Sequence, residues 1–209
     1  MIKNKNFYFQ LLIFLITFYV IINTGIHSDD YTAIDQAQTS SWSDHFEWSI
    51  EKRGQNFFGI FNHYLFYWAY EVFTYEDGKY YDILKILINY LSYYLVYLFV
   101  SQYLDRAKSA IFSLFFVFSF IHDSTIFWYM TSPYIFTAAM IMFSHYLINN
   151  KYFYFGSISL IFSSLLSYSS PPYIFGLSII FLLEKKYKEF IIFNSIGFIY
   201  IFYYFYFGI

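Results

Sequence analysis

Residues Phe7–Tyr31 read FYFQLLIFLITFYVIINTGIHSDDY. The part from Phe7 to Ile26 carries no charged residue. A helix needs about 20 mostly apolar residues to cross a bilayer, so this stretch predicts a span. Lys3 and Lys5 precede it, and the acidic pair Asp29-Asp30 follows almost at once. A secretory signal also begins this way, but no small-x-small cleavage site follows and further apolar runs follow along the chain. The stretch therefore reads as an uncleaved anchor.

Composition extends that reading to all 209 residues, of which 59% are hydrophobic and 12% charged. Soluble domains carry roughly 25% charge, so about half of the usual solvating surface is missing. This excludes an ordinary soluble domain and a disordered chain. Cysteine is absent, which removes disulfides, a thiolate nucleophile and Cys-ligated zinc. A net charge of −2 gives no case for nucleic acid as a partner. The 30 Phe and 26 Tyr share A/T-rich codons with Ile, Asn and Lys, so aromatic clusters are discounted as signs of function.

Six further apolar runs follow: Asp82–Leu104, Ser109–Ile121, Ser132–Ile148, Tyr152–Tyr168, Tyr173–Leu183 and Phe190–Ile209. The expected fold is all-α, a single transmembrane module over residues 1–209 with about seven membrane helices. Its one long loop, residues 27–81, is rich in acidic residues and is expected to hold interfacial helices. With the N-terminus inside, Lys3, Lys5, Arg106, Lys108, Lys151, Lys185, Lys186 and Lys188 face the cytoplasm; Lys52, Arg53, Lys79 and Lys85 face outward. The excess of inside positive charge is the usual orientation. A competing span, Phe57–Phe73, would reverse every later loop and that excess with it, so it is left on the outer face. Pro171-Pro172 reads as a rigid hairpin turn, the serines of 157–170 as close helix packing, and His145 as an ionisable group inside the fourth span.

Chemistry is sought on the outer face. Adjacent carboxylates at a membrane surface repel each other and lose solvent, so Asp29-Asp30, flanked by His27 and Tyr31, is the first candidate. Lys52-Arg53 could bind a phosphate. His122-Asp123 lies at the mouth between spans three and four. Phosphate-loop, zinc-protease, serine-hydrolase and dinucleotide motifs are all missing from the sequence.

One anchor span, an acidic pair just outside it, a long first outer loop and a chain of hydrophobic spans together resemble the C-type (GT-C) integral membrane glycosyltransferases. Asp29-Asp30-Tyr31, Trp48 and Arg53-Gly54 are similar to patterns in the bacterial polysaccharide-modifying members, including the O-antigen glucosyltransferase-like group. Those enzymes are typically longer, so the chain reads as the N-terminal fragment of such a protein. The resemblance implies a sugar moved from a polyprenyl-phosphate donor to a glycan or lipid acceptor at the outer face of a bacterial inner or plasma membrane. Asp29 or Asp30 would be the general base, with His27, Tyr31, Lys52, Arg53, His122 and Asp123 binding substrate. A divalent metal on Asp29 and Asp30 is compatible with this chemistry and not required by it. The alternatives are a noncatalytic subunit, or a polymerase- or flippase-like component of a polysaccharide pathway.

Overall fold

Helix ends in this chain are set by a few polar side chains. The structure, a computed structural model, describes residues 2–27, 29–39, 44, 65, 67–119, 126–167 and 170–207. Among them all regular structure is helical: α1 (Ile2–Ile21), α2 (Asp29–Thr39), α3 (Trp68–Val72), α4 (Gly78–Val100), α5 (Arg106–Phe118), α6 (Ser132–Asn149), α7 (Phe153–Ser164), α8 (Ser170–Leu183) and α9 (Tyr187–Phe207). Short 3-10 turns at Tyr75–Asp77 and Tyr129–Thr131 lead into α4 and α6. The expected all-α class holds. All of these helices except α2 and α3 lie on the apolar runs of the sequence.

The boundaries move for local reasons. The first apolar run extends to Ile26, but α1 stops at Ile21 because Asn23 and Gly25 adopt left-handed φ of 66° and 68°. The chain bends there to bring Thr24 and Gly25 onto Asp82. α4 starts ahead of Asp82 because Thr74 and Asp77 cap the preceding turn reciprocally. α5 starts at Arg106 because Asp105 Oδ1 accepts the Lys108 backbone N–H at 3.1 Å. Pro171 and Pro172 do not form a hairpin turn. They occupy the first turn of α8, where a missing N–H forfeits no intrahelical bond.

α6 is the hub. It packs against α4 and α7, and also touches α8 and α9. The α6–α7 contact is close enough to need glycine. A Cβ on Gly156 would stand 2.5 Å from Ile148 Cγ1 and 3.2 Å from the Ser144 carbonyl oxygen. Across the same seam Ser144 Oγ meets Ser159 Oγ at 3.0 Å.

The bundle has two distinct ends. At one, the end of α1 meets the start of α4 through Thr24, Gly25 and Asp82, and α2 packs on α3. The chain that leaves α1 therefore returns to the same end before α4 begins. At the other end Gln102 accepts from Asn149 at 2.6 Å, and Asn149 accepts from Lys186 at 2.6 Å. Those bonds tie the α4–α5, α6–α7 and α8–α9 turns together. Arg106, Lys108, Lys151, Lys185, Lys186 and Lys188 belong to these turns or their edges, so this is the basic end.

Around apolar core clusters the bundle also buries polar side chains and turns large apolar ones outward. Thr17, Asn89, Ser92, Ser109, Ser113, Thr137, Ser144, His145, Ser163 and Ser178 are buried. Meanwhile Leu15, Ile111, Phe155, Ile191 and Phe198 face outward, each at least half exposed. Among the described residues, Tyr75–Val100 is the one stretch with the length and hydropathy to cross a bilayer by itself; Tyr8–Ile21, Phe153–Ser164 and Ser170–Leu183 are apolar but shorter.

Gly156→Ala is expected to lower stability by about 1–3 kcal/mol through overpacking, because Ile148 is fully buried and cannot withdraw. Gly176→Ala, with open space around its Cβ, is the matched control and should leave the midpoint unchanged or raised. Thermal unfolding in a mild detergent reads both.

Candidate functional site

The acidic pair sits where α2 begins. α2 is amphipathic, with Asp30, Ala33, Ile34 and Ala37 buried, the spacing of one helical face. Asp29, Tyr31 and Asp35 lie on the opposite, exposed face. Adjacent residues on a helix point about 100° apart, so the two carboxylates separate: Asp30 turns inward and Asp29 outward.

Asp30 is fully enclosed. Its Oδ1 accepts the Tyr70 hydroxyl at 2.7 Å. Its Oδ2 accepts the backbone N–H of His27 at 3.1 Å and of Tyr129 at 3.2 Å. One carboxylate thus joins the start of α2, helix α3 and the turn before α6. The rings of Tyr70, Tyr81 and Tyr129 close around it, with centroids 5.4–5.7 Å apart. Tyr81 donates onward to the Phe73 carbonyl at 2.9 Å. Burial, reinforced by the Asp30 carboxylate, holds the Tyr70 phenol well above its ordinary pKa. Burial does the same for Tyr129, with Tyr81 and Asp30 adding to it. Tyr70 therefore remains a hydrogen-bond donor throughout the working range of pH.

A second polar knot lies beneath. Asp82 Oδ1 accepts the Gly25 N–H at 2.8 Å and stands 2.9 Å from Thr24 Oγ1. Lys85 Nζ is 3.0 Å from the same oxygen, with both side chains buried. The ammonium also bonds the carbonyls of Gly25 and Phe127 and meets Thr24 Oγ1 at 2.8 Å. Buried charges need such pairing, because an unpaired one is costly to desolvate.

Of the residues singled out in the sequence, the structure brings His27, Asp29, Asp30 and Tyr31 to one end of the bundle. His27 contributes its backbone. Tyr31 is exposed and stacks on Tyr75 with centroids 5.8 Å apart. Lys52, Arg53, His122 and Asp123, with Trp48 and Gly54, lie outside the described residues. For a metal, both Asp30 oxygens are already engaged by protein donors. No group of three or more metal-ligating side chains occurs among the described residues.

Tyr70, Tyr129, Asp82 and Lys85 were not sequence candidates. Asp82 and Lys85 left a readable signal, opposite charges three apart at the head of an apolar run, where an i,i+3 pair can meet. Tyr70 and Tyr129 left none, being two of 26 tyrosines. Comparison with family models, with curated proteins and with solved structures finds no match to this chain.

Tyr70→Phe is expected to cost about 1.5–3 kcal/mol, the usual worth of a hydrogen bond to a charged group. Lys85→Met should cost more, about 3–5 kcal/mol, by stranding the Asp82 carboxylate. Adding Asp82→Asn to Lys85→Met should recover part of that loss. Denaturant unfolding of the detergent-solubilised variants measures all three.

Proposed function

We propose that the chain is a seven-pass membrane protein with its basic end in the cytoplasm, and that its other end transfers a sugar from a polyprenyl-phosphate donor to a glycan or lipid acceptor. The membrane part is supported by the large apolar side chains on the outside of the bundle. Lipid rewards outward apolar side chains, and helices buried in it associate through small and hydroxyl residues. α1, α4 and α9, of 20, 23 and 21 residues, are each about 30 Å long at 1.5 Å per residue. α5, α7 and α8 are shorter, and the turn after α7 is buried in protein through Leu166 and Ser167, a setting in which irregular backbone is tolerated at membrane depth. The basic end obeys the positive-inside rule.

The catalytic part rests on the GT-C resemblance and on one observation: the pair is split into a locked carboxylate and an exposed one. Asp30, held by Tyr70 and two backbone N–H groups, fixes the first turn of α2. Asp29, on that same turn and on the exposed face of α2, is assigned the role of base toward an acceptor hydroxyl, as the resemblance implies. In the transfer the acceptor oxygen bonds to the sugar C1, the C1–phosphate bond breaks, the hydroxyl proton goes to Asp29, and the polyprenyl phosphate leaves as the anion. Lys52 and Arg53 are carried over from the resemblance as cations that offset the leaving charge. Asp30 acts here as a positioning residue.

Sugar transfer from a panel of polyprenyl-phosphate donors, assayed in membranes holding the full reading frame, tests this. Asp29→Asn should reduce transfer about 10²–10⁴-fold with unfolding unchanged. Transfer at the wild-type rate removes Asp29 from the mechanism. Wild-type membranes inactive with every donor favour the noncatalytic subunit.

Topology has its own test, helped by the absence of native cysteine. Gln38→Cys, on the exposed face of α2, should react with an impermeant maleimide in intact cells. Lys188→Cys, at the basic end, should react only after permeabilisation. Labelling of both from one side excludes the alternating arrangement.

A further inference from the structure

The oxygens around Lys85 outnumber its hydrogens. An ammonium carries three N–H donors. Four oxygens stand on Lys85 Nζ: Thr24 Oγ1 at 2.8 Å, the Phe127 carbonyl at 3.0 Å, Asp82 Oδ1 at 3.0 Å, and the Gly25 carbonyl. They come from three stretches of chain: the turn after α1, the first turns of α4, and the segment before α6. Two of the four are also held by bonds that do not involve the lysine. Asp82 Oδ1 accepts the Gly25 N–H at 2.8 Å, and Thr24 Oγ1 donates to the Ile21 carbonyl at 2.8 Å. The side chains of Lys85 and Asp82 are both buried. The four-oxygen shell carries one formal negative charge, on Asp82, and its other members are neutral dipoles. Such a shell can replace the hydration of a cation, as rings of carbonyl oxygens do. It balances a single positive charge; a divalent ion would leave one charge uncompensated in a buried place.

We infer that the oxygens of Thr24, Gly25, Asp82 and Phe127 form a monovalent-cation site, filled by the Lys85 ammonium in the native chain and open to a potassium or ammonium ion when that side chain is removed. Ammonium and potassium are close in size, and both suit oxygens at 2.8–3.0 Å. Sodium is smaller and draws its oxygens closer, so it fits this shell less well. Because the native cation is tethered to α4, it cannot dissociate. The junction of α1, α4 and the start of α6 is therefore independent of dissolved ions, although it is built as an ion site. The inference rests on neither the membrane reading nor the glycosyltransferase one.

The test is thermal unfolding of the full chain in a non-ionic detergent, in chloride salts of potassium, ammonium, sodium and choline at equal ionic strength. Lys85→Ala should melt higher in potassium or ammonium than in choline, with sodium between them. Once the site is filled, its midpoint should rise by about 3–5 °C per tenfold increase in the ion. Wild type should melt alike in all four salts, since its site is taken. Lys85→Met, whose longer side chain fills the same space, should show no ion preference. Nor should Asp82→Asn combined with Lys85→Ala, which leaves the shell neutral. Equal midpoints for Lys85→Ala in potassium, ammonium and choline overturn the site, and so does the same ion preference in wild type or in Lys85→Met. If Lys85→Ala does not survive purification, recovery of monodisperse protein from membranes solubilised in each salt carries the same test. Recovery confined to potassium and ammonium supports the site, and loss in all four salts overturns it.

Discussion

The Lys85 ammonium is where three stretches of chain meet. It neutralises Asp82 on its own helix, holds the carbonyl of Gly25 after α1, and holds the carbonyl of Phe127 before α6. Asp82 is buried and takes further bonds from Thr24 and Gly25, while the two carbonyls are only partly buried. A backbone carbonyl buried without a partner forfeits a hydrogen bond it had in the unfolded chain, so the ammonium converts several liabilities into one compact arrangement. Asp30 does the complementary work above it with two backbone N–H donors and a phenol. Together the cation and the two carboxylates decide how the ends of α1, α4 and α6 are held relative to α2 and α3.

That arrangement has a consequence for the exposed face. α2 is short, and only Asp30 and three apolar residues turn inward from it. Its orientation therefore depends on Asp30 being bonded from three directions. A rigidly held first turn also fixes the backbone from which Asp29 projects. The aromatic rings around Asp30 keep water from competing for its oxygens. The stacked Tyr31 and Tyr75 extend the same surface outward. At the basic end the ties are made by amides and lysines in the helical turns, including an ion pair between Lys151 and the buried Glu189.

Much of the architecture was legible in the chain. Long apolar runs separated by short charged turns predicted helices, and the apolar helices lie on those runs. The polar breaks at Asp105 and Lys151 marked real turns. Where boundaries slipped, a tertiary bond was responsible. Apolarity continues past Ile21, but Thr24 and Gly25 leave the helix to reach Asp82. Pro171 and Pro172 looked like a turn because proline excludes helix interiors, yet a first turn accepts them. The candidate pair was visible as adjacent charges after an apolar run, while its division into a buried and an exposed carboxylate was not, because that depends on the face α2 presents to Tyr70 and Tyr129, one 40 residues away and the other 99.

By itself, then, the sequence determined that the chain is helical, where its apolar helices run, which turns are basic, and that Asp29-Asp30 is the most unusual polar feature beside an apolar run. These are local properties of composition and period. Only the tertiary structure decided that Asp30 is a buried strut and Asp29 the exposed member, and that Lys85 is a junction rather than a loop charge. The reason is physical: a side chain's chemistry is fixed by its covalent structure, but its solvation and partners come from segments far away in the chain.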